Sequence, residues 1–254
     1  MLTVTWALPA RFNSSNMQIA LIGYGRMGHE IEAVATERGH SVVLTIDVDN
    51  LHDFTPENLR KADVAIEFTR PHTASANVTR CLEAGVPVVC GTTGWSDQLP
   101  AVEALCHELG GGMLWASNFS LGMNLFFKLN DYLAHLMNRF PEYDVKITET
   151  HHIHKLDAPS GTAITLAEGV LKAIDRKSVW ESQSQSSADV LRIDSVREGS
   201  VPGIHTVRYE SYCDAIEITH DAANRKGLAV GAVLAAEYLA GKTGVFTMND
   251  VLFH

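Results

Sequence analysis

The chain has 254 residues, 46% hydrophobic and 20% charged, with 30 Asp and Glu against 20 Lys and Arg and a formal net charge of −10. That length carries one or two domains with ample apolar residues for a packed core, which excludes disorder as the dominant state. No apolar run reaches the ~18 residues of a membrane span, and the acidic balance is wrong for a nucleic-acid scaffold, so the expected partner is a small molecule, with neither nucleic acid nor membrane.

Residues 1–16 hold a single charge, Arg11, and no basic stretch ahead of an apolar run, a poor match to a secretory signal. They read as a leader or disordered tail, with Met17 as the alternative start. From there the pattern is strand Gln18–Ile22, glycine turn Gly23–Gly28, helix Ile31–Arg38 stopped by Gly39, and strand Ser41–Ile46. Ala62–Phe68 and Val86–Cys90 read as buried strands around a helix, Ala74–Ala84, that ends at Gly85. A further helix, Gln98–Leu109, stops in Gly110–Gly112 before strand Met113–Ala116. Such alternation implies a parallel sheet with right-handed crossovers.

The texture changes near Asn118. A helix is expected over Phe126–Met137, after which Asp144–Thr150, Val190–Val196, Ile204–Glu210 and Ala215–Thr219 alternate apolar and polar residues without intervening helices. This is the pattern of an open mixed or antiparallel sheet with one face exposed or covered by a partner. Glu181–Ser187 reads as a polar loop, and an apolar helix, Leu228–Leu239, closes the chain. The four cysteines, at 81, 90, 106 and 213, form no CxxC pair, which fits a reducing cytoplasm.

Gly23, Tyr24, Gly25, Arg26, Met27 and Gly28 spell GxGxxG after a strand and at the opening of a helix, with Asp47 closing the next strand about 20 residues on. Gly23 permits the tight turn, Gly25 lets the backbone approach a pyrophosphate, and Gly28 lets helix pack on sheet. Asp47 suits the ribose hydroxyls and repels a 2′-phosphate, which favours NADH; Arg26 keeps NADPH open. The fold class is therefore α/β. An N-terminal Rossmann dinucleotide-binding domain (17–118 with 228–254) is joined to a C-terminal α+β domain with an open mixed sheet (119–227).

The densest chemistry lies in Glu149-Thr-His151-His152-Ile-His154-Lys155-Leu-Asp157-Ala-Pro159-Ser160-Gly161-Thr162, running from a strand through a loop into a helix near Ser160. An imidazole titrates near neutrality and moves protons. Lys155 is a cation, and the N–H groups of Ser160, Gly161 and Thr162 form an anion site at the helix start, where Ser160 and Thr162 also serve as caps. Proton transfer beside an anion cradle suits a carboxylate substrate. A metal on the three histidines is disfavoured by the adjacent Lys155 and by the lack of a zinc spacing, so none is expected.

With GYGRMG, Glu67-Phe-Thr-Arg-Pro71, Gly91-Thr-Thr-Gly94, Ser117-Asn-Phe-Ser120, Arg197-Glu-Gly199, Pro202-Gly-Ile-His205, Ile218-Thr-His220 and above all the HHxHKxDAPSGT run at 151–162, the sequence from Met17 onward resembles the 4-hydroxy-tetrahydrodipicolinate reductase (dihydrodipicolinate reductase) family. The resemblance implies an NAD(P)H-dependent reduction in lysine and diaminopimelate biosynthesis. It implies that His151 is the proton donor and acceptor and Lys155 a proton donor, and that His152, Gly161 and Thr162 bind the dicarboxylate with Lys155. It places Gly91, Thr92, Thr93, Ser117, Asn118 and Phe119 along the nicotinamide with Phe68 close by, and implies a homotetramer whose C-terminal sheets associate. Domain closure would hinge near 118–122 and 226–227. Many members carry one more residue in the glycine turn, which leaves NADH against NADPH open. The glycine turn alone also fits an amino-acid dehydrogenase or a nucleotide-sensing protein without turnover.

Overall fold

The computed structural model describes residues 16–182 and 187–253. The expected leader lies outside the described residues except for Asn16, as do residues 183–186 of the expected polar loop. The described chain forms two compact units, one running to Ala116 and resuming at Ala229, the other spanning Ser117–Leu228.

In chain order the first elements are β1 (Gln18–Ile22), α1 (Arg26–Glu37), β2 (Ser41–Ile46), α2 (Pro56–Leu59), β3 (Val64–Glu67), α3 (Pro71–Glu83), β4 (Val88–Cys90), α4 (Leu99–Glu108) and β5 (Gly112–Trp115). There follow α5 (Leu121–Met137), β6 (Asp144–His151), α6 (Gly161–Ala173), β7 (Val179–Ser182), β8 (Val190–Arg197), β9 (Ile204–Glu210) and β10 (Ala215–Asp221). The chain continues with α7 (Lys226–Leu239), β11 (Gly244–Phe246) and α8 (Met248–Leu252).

The first unit carries a six-stranded sheet in the order β11-β5-β4-β3-β1-β2, parallel throughout. Its inner strands β3 and β4 are buried at every residue, as expected where helices cover both faces. α1 buries Gly28, Ile31, Val34 and Ala35, one stripe at helical spacing, and ends where Gly39 turns the backbone at φ 81°. Because β2 and β3 flank β1 on opposite sides, the topological switch point lies at β1, and the carboxyl ends there bound a crevice.

The second unit carries a mixed sheet, β10-β9-β6-β8-β7. β6 pairs antiparallel with β9 and parallel with β8. Val145, Ile147, Leu191, Ile193, Val207 and Tyr209 form a core on one face with residues of α5 and α6. The other face is charged, with Arg208 3.2 Å from Glu217 and Lys146 3.8 Å from Glu210. The α/β fold class and the mixed second sheet are as expected.

Several boundaries differ from the sequence reading. α1 begins at Arg26, inside the expected turn, since its first turn is polar and carries no periodic signal. α5 starts at Leu121 instead of Phe126, where the Ser120 hydroxyl accepts the Met123 N–H at 3.3 Å. The strands of the second sheet are not uninterrupted: α6 crosses between β6 and β8, which makes that pair parallel. β7 occupies the start of the expected polar loop at 181–187 as an edge strand with mostly exposed side chains, so no alternation betrays it. α7 does not close the chain, because β11 extends the first sheet and α8 follows, fixed by a capping box between Thr247 and Asp250. No described helix is long and apolar enough to cross a membrane.

A buried charge cluster ties the returning α7 into the first unit. Glu237 accepts hydrogen bonds from Arg38 Nε at 2.7 Å and Nη2 at 2.8 Å, and His40 Nε2 lies 2.9 Å away. The Met17 N–H donates to His40 Nδ1 at 3.2 Å, so the imidazole turns its Nε2 hydrogen toward Glu237. Removing the carboxylate strands the Arg38 charge without water. Glu237→Ala is therefore expected to cost about 3–5 kcal/mol in urea unfolding; a loss below about 1 kcal/mol, the range of exposed pairs, would contradict this account.

Candidate active site

At the switch point of the first unit, β1 ends in Gly23, whose φ of 96° few other residues adopt. A Cβ there would lie 2.1 Å from the Phe68 carbonyl oxygen. At Gly28 a Cβ would lie 2.6 Å from the Gly23 oxygen, so both glycines serve close packing. Gly25 differs: a Cβ would meet nothing within 4 Å, and as N-cap of α1 it offers no side-chain acceptor. The space over the turn is open beside the first N–H groups of a 12-residue helix.

That turn borders a cleft of about 500 Å³, lined among others by Gly23, Gly25, Asp47, Val48, Phe68 and Arg70. Asp47 is exposed at the end of β2, where its Oδ1 accepts the Val48 N–H at 2.8 Å. Tyr24 is turned toward its own helix, its hydroxyl donating to Glu32 and its ring 4.2 Å from that of His29. Arg26 is exposed and Met27 half-buried, and neither lines the cleft. Gly91 seats the Phe68 ring, since a Cβ at 91 would lie 2.1 Å from Phe68 Cζ. Thr92 Oγ1 accepts the Thr69 N–H at 2.8 Å, joining the two loops, while Thr93 is exposed. The buried Glu67, which the sequence reading names without a role, accepts from Thr69 and Asn77 and, at 3.0 Å, from the Cys90 thiol. Burial and that carboxylate push the Cys90 thiol far up, so it is no nucleophile. Gly23, Gly25, Asp47 and Phe68 thus meet in one cleft and Gly91–Thr92 brace it, whereas Ser117, Asn118 and Phe119 belong to the second unit.

In the second unit the inner sheet face changes character along its strands. β6 points Val145, Ile147, Glu149 and His151 inward, apolar at one end and ionisable at the other. β9 repeats this with Tyr209, Val207 and His205. Register then aligns a polar row across four strands, since His220 faces His205, His205 faces Glu149, and Glu149 faces Ser195. Arg197 lies opposite His151 in the next layer.

Glu149, fully buried, is the hub. Its Oε1 accepts the Ser195 hydroxyl at 2.7 Å, and both oxygens accept the Ser160 N–H at 3.1 Å. His151 Nδ1 lies 3.5 Å from Oε2, Arg197 3.7 Å from Oε1 and His205 Nε2 3.9 Å from Oε2. Burial opposes the charge of Glu149, but hydrogen bonds from Ser160 and Ser195 outweigh it and hold the carboxyl below the usual range. Burial pushes the His151 imidazole down while Glu149 raises it and Lys155 and Arg197 lower it further; the net direction is down. His205, deeper and beside His151, is pushed down to about 4.

Ser160 N-caps α6, its Oγ accepting the Ala163 N–H at 3.2 Å and standing 3.3 Å from His205 Nε2. Gly161 is exposed, with nothing within 4 Å of a Cβ, and Thr162 is half-exposed, so the helix start is open to an anion. A pocket of about 130 Å³ is lined by His151, Thr162, Gly203, His205 and His220 among others. Lys155 is held by Asp157, its Nζ 2.8 and 2.9 Å from the two oxygens. His152 is half-buried and His154 exposed, their rings 6.3 Å apart. The histidine trio of the sequence is therefore not one constellation: His151 joins Glu149 and His205 instead. Donor atoms of these three lie within 4.8 Å of one another, a spacing that suits a divalent ion. Both oxygens of Glu149 already accept hydrogen bonds, however, and Arg197 supplies the positive charge. Glu149 and His205 stand in the quoted motifs without a role and Ser195 in none, although their signal is present as polar residues in core phase on alternating strands.

One unit holds an open glycine turn at a helix start and the other buried imidazoles around a carboxylate, an arrangement that fits an oxidoreductase built of two units. The chain belongs to the dihydrodipicolinate reductase family: the family's N-terminal domain matches residues 17–119 and its C-terminal domain residues 122–252. It is 48% identical over 240 residues to the 4-hydroxy-tetrahydrodipicolinate reductase of Christiangramia forsetii, covering 93% of this chain and 98% of that protein. Identity to the Neisseria gonorrhoeae protein of the same name is 35% over 229 residues, covering 87% and 83%. Among solved structures, the fold is shared with a dipicolinate-bound dihydrodipicolinate reductase from Paenisporosarcina sp. TG-14 at TM-score 0.74 and 22% identity, covering 94% of this chain and all of that one (100%). A dehydrogenase from Thermotoga maritima shares it at TM-score 0.55 and 11% identity, covering 92% of each.

Because His205 is uncharged when folded but binds a proton near its ordinary value of 6.5 when unfolded, the unfolded state takes up more protons as pH falls from about 6.5 to about 4. Stability is accordingly expected to fall across that window, read as a declining urea midpoint, and His205→Gln is expected to flatten the slope. An unchanged slope in the variant would place the effect elsewhere.

Proposed function

We propose that the protein reduces 4-hydroxy-tetrahydrodipicolinate to tetrahydrodipicolinate, with loss of water and with NADH favoured over NADPH, in lysine and diaminopimelate biosynthesis. The observation that carries this reading is the second unit's joining of a buried imidazole, His151, to an open helix N-terminus through one carboxylate. The names of the Christiangramia and Neisseria relatives support it, as does the dipicolinate held by the Paenisporosarcina homologue.

The first unit fits a nicotinamide dinucleotide: the open space above Gly25, the start of α1 and the carboxylate of Asp47 border the same cleft. Gly23, Gly25 and the α1 N-terminus would hold the pyrophosphate and Asp47 the adenosine ribose, with Phe68, seated on Gly91, on the nicotinamide side; Tyr24, Arg26, Met27, Gly28, Thr92 and Thr93 shape that turn and its neighbouring loop. When bound, the reduced nicotinamide supplies a hydride to the ring carbon that becomes C4. In the second unit, Gly161 and Thr162 N–H groups, with His152 and Lys155, hold the ring carboxylates, and Ser160 fixes that helix end. Loss of the C4 hydroxyl together with a C3 hydrogen, as water, leaves a C3–C4 double bond conjugated with the ring imine. With the hydride added at C4 the electron pair rests on C3 in enamine form, and His151 would donate the proton there, with Lys155 assisting. Ser117, Asn118 and Phe119 are assigned to the nicotinamide side on the family resemblance alone.

The residue ranges 17–118 with 228–254 and 119–227 take the nucleotide-binding and the substrate-binding and oligomerisation roles in this proposal. The exposed Val179 and Val196 on the outer face of the second sheet support a homotetramer joined through it, and the biosynthetic role proposed here goes with a cytoplasmic enzyme.

His151→Ala and Lys155→Ala are expected to lower turnover by about 10²–10⁴-fold while NADH affinity is kept. Unchanged turnover with tight NADH binding would instead favour a nucleotide-sensing protein, and preference for a panel of keto and amino acids would favour an amino-acid dehydrogenase. Replacing Asp47 with Ser is expected to erode the NADH preference by about tenfold in kcat/KM. An unaltered ratio would remove Asp47 from nucleotide selection.

A further inference from the structure

Among the buried ionisable groups of the second unit, Glu149 has no part in the chemistry assigned so far, yet four elements converge on it. Its own strand brings His151, β8 brings Ser195 and Arg197, β9 brings His205, and the start of α6 brings the Ser160 N–H. A carboxylate at an inward sheet position, wholly removed from water, is costly unless paired and hydrogen-bonded, and Ser160, Ser195 and Arg197 meet that need on one side while His151 stands on the other. His151 Nδ1 is buried with no hydrogen-bond partner inside bonding distance, and Glu149 Oε2 is the acceptor it approaches, at 3.5 Å. On the other side of the ring, Nε2 lies beside Gly203, where a Cβ would come within 3.1 Å. Gly203 and His151 line the same pocket as Thr162.

We infer that Glu149 is a positioning residue that fixes His151 with its Nδ1–H toward the carboxylate and its Nε2 toward the pocket, and that it locks this orientation to the anion-binding start of α6 through the Ser160 N–H. This rests on the proposed reading of His151 as the proton donor. A carboxylate accepts only from a protonated nitrogen, so Nδ1 keeps its hydrogen in both states of the ring and Nε2 carries the proton that is given away. The donated proton leaves Nε2 for the substrate carbon and the imidazolium becomes neutral imidazole, with Glu149 ionised throughout. The carboxylate also favours the imidazolium, against burial and against the cations facing His151, Arg197 on β8 and Lys155 in the following loop; the titratable neighbours His205 on β9 and His220 on β10 are themselves pushed down by burial. Asp157 in that loop works in the same direction as Glu149. Tying one carboxylate to both ends of the site means the proton donor and the anion cradle move as a unit.

The test uses the full ¹⁵N-labelled chain and long-range ¹H–¹⁵N NMR of the imidazoles over pH, with His151→Gln identifying the His151 signals. Wild-type His151 is expected as the Nδ1-protonated tautomer when neutral. In Glu149→Gln its titration is expected to move down by about one pH unit. The alkaline limb of the kcat profile should move down equally, giving kcat about tenfold lower above that limb with KM for NADH unchanged. Glu149→Asp keeps the charge and should restore most of the limb. An Nε2-protonated tautomer in the wild type, or an unmoved titration and limb in Glu149→Gln, overturns the inference. The tautomer is read without any variant of Glu149, so it decides the matter alone if that variant fails to fold. Absence of turnover in the wild type would refute the proposed function, while the tautomer would still decide whether Glu149 orients the ring.

Discussion

One buried carboxylate organises the second unit. Burying Glu149 carries a desolvation cost of several kcal/mol, which hydrogen bonds from Ser160 and Ser195 and nearby positive charge offset. Those partners come from β8 and from the start of α6, so the carboxylate charge is satisfied only when β6 and β8 are in register and α6 is seated against them. The placement of His151 beside the start of α6 follows from that condition. Apolar packing of Val145, Ile147, Leu191, Ile193 and Val207 holds the same strands together further along, where there is no chemistry to place.

The first unit solves its problem by omission. Its cleft exists because side chains are missing at Gly23, Gly28 and Gly91, where a Cβ would strike backbone or the Phe68 ring, and because Gly25 leaves its space empty. Thr69 and Asn77 in the cleft wall and Glu67 and Thr92 beside them are joined by hydrogen bonds that brace the loops. Far from the cleft, the Arg38–His40–Glu237 cluster fastens the returning α7 beneath α1.

What the sequence disclosed followed from how far each signal extends along the chain. Strands buried on both faces, such as β1, β3 and β4, are continuous apolar runs, and the glycine turn with Asp47 identifies itself by local spacing. The start of α1 at Arg26, the short β11 and the edge strand β7 carry too few apolar residues to announce themselves. Within the site, His151, Ser160 and Thr162 sit in one contiguous string and were legible. His205, Ser195 and Arg197 reach Glu149 only through strand register, a long-range property that no local pattern contains. One clue does lie in β6 itself: Glu149 falls in phase with Val145 and Ile147, where a core residue belongs.

The central claim is that a ring dicarboxylate is received at the start of α6 beside His151. Backbone amide and imidazole NMR of the labelled chain, titrated with pyridine-2,6-dicarboxylate in the presence of NADH, tests this most directly. The account predicts that the largest shifts fall on the Gly161 and Thr162 amides and on the His151 and His152 rings. Shifts concentrated in the first unit, or spread without reference to that helix start, would contradict it.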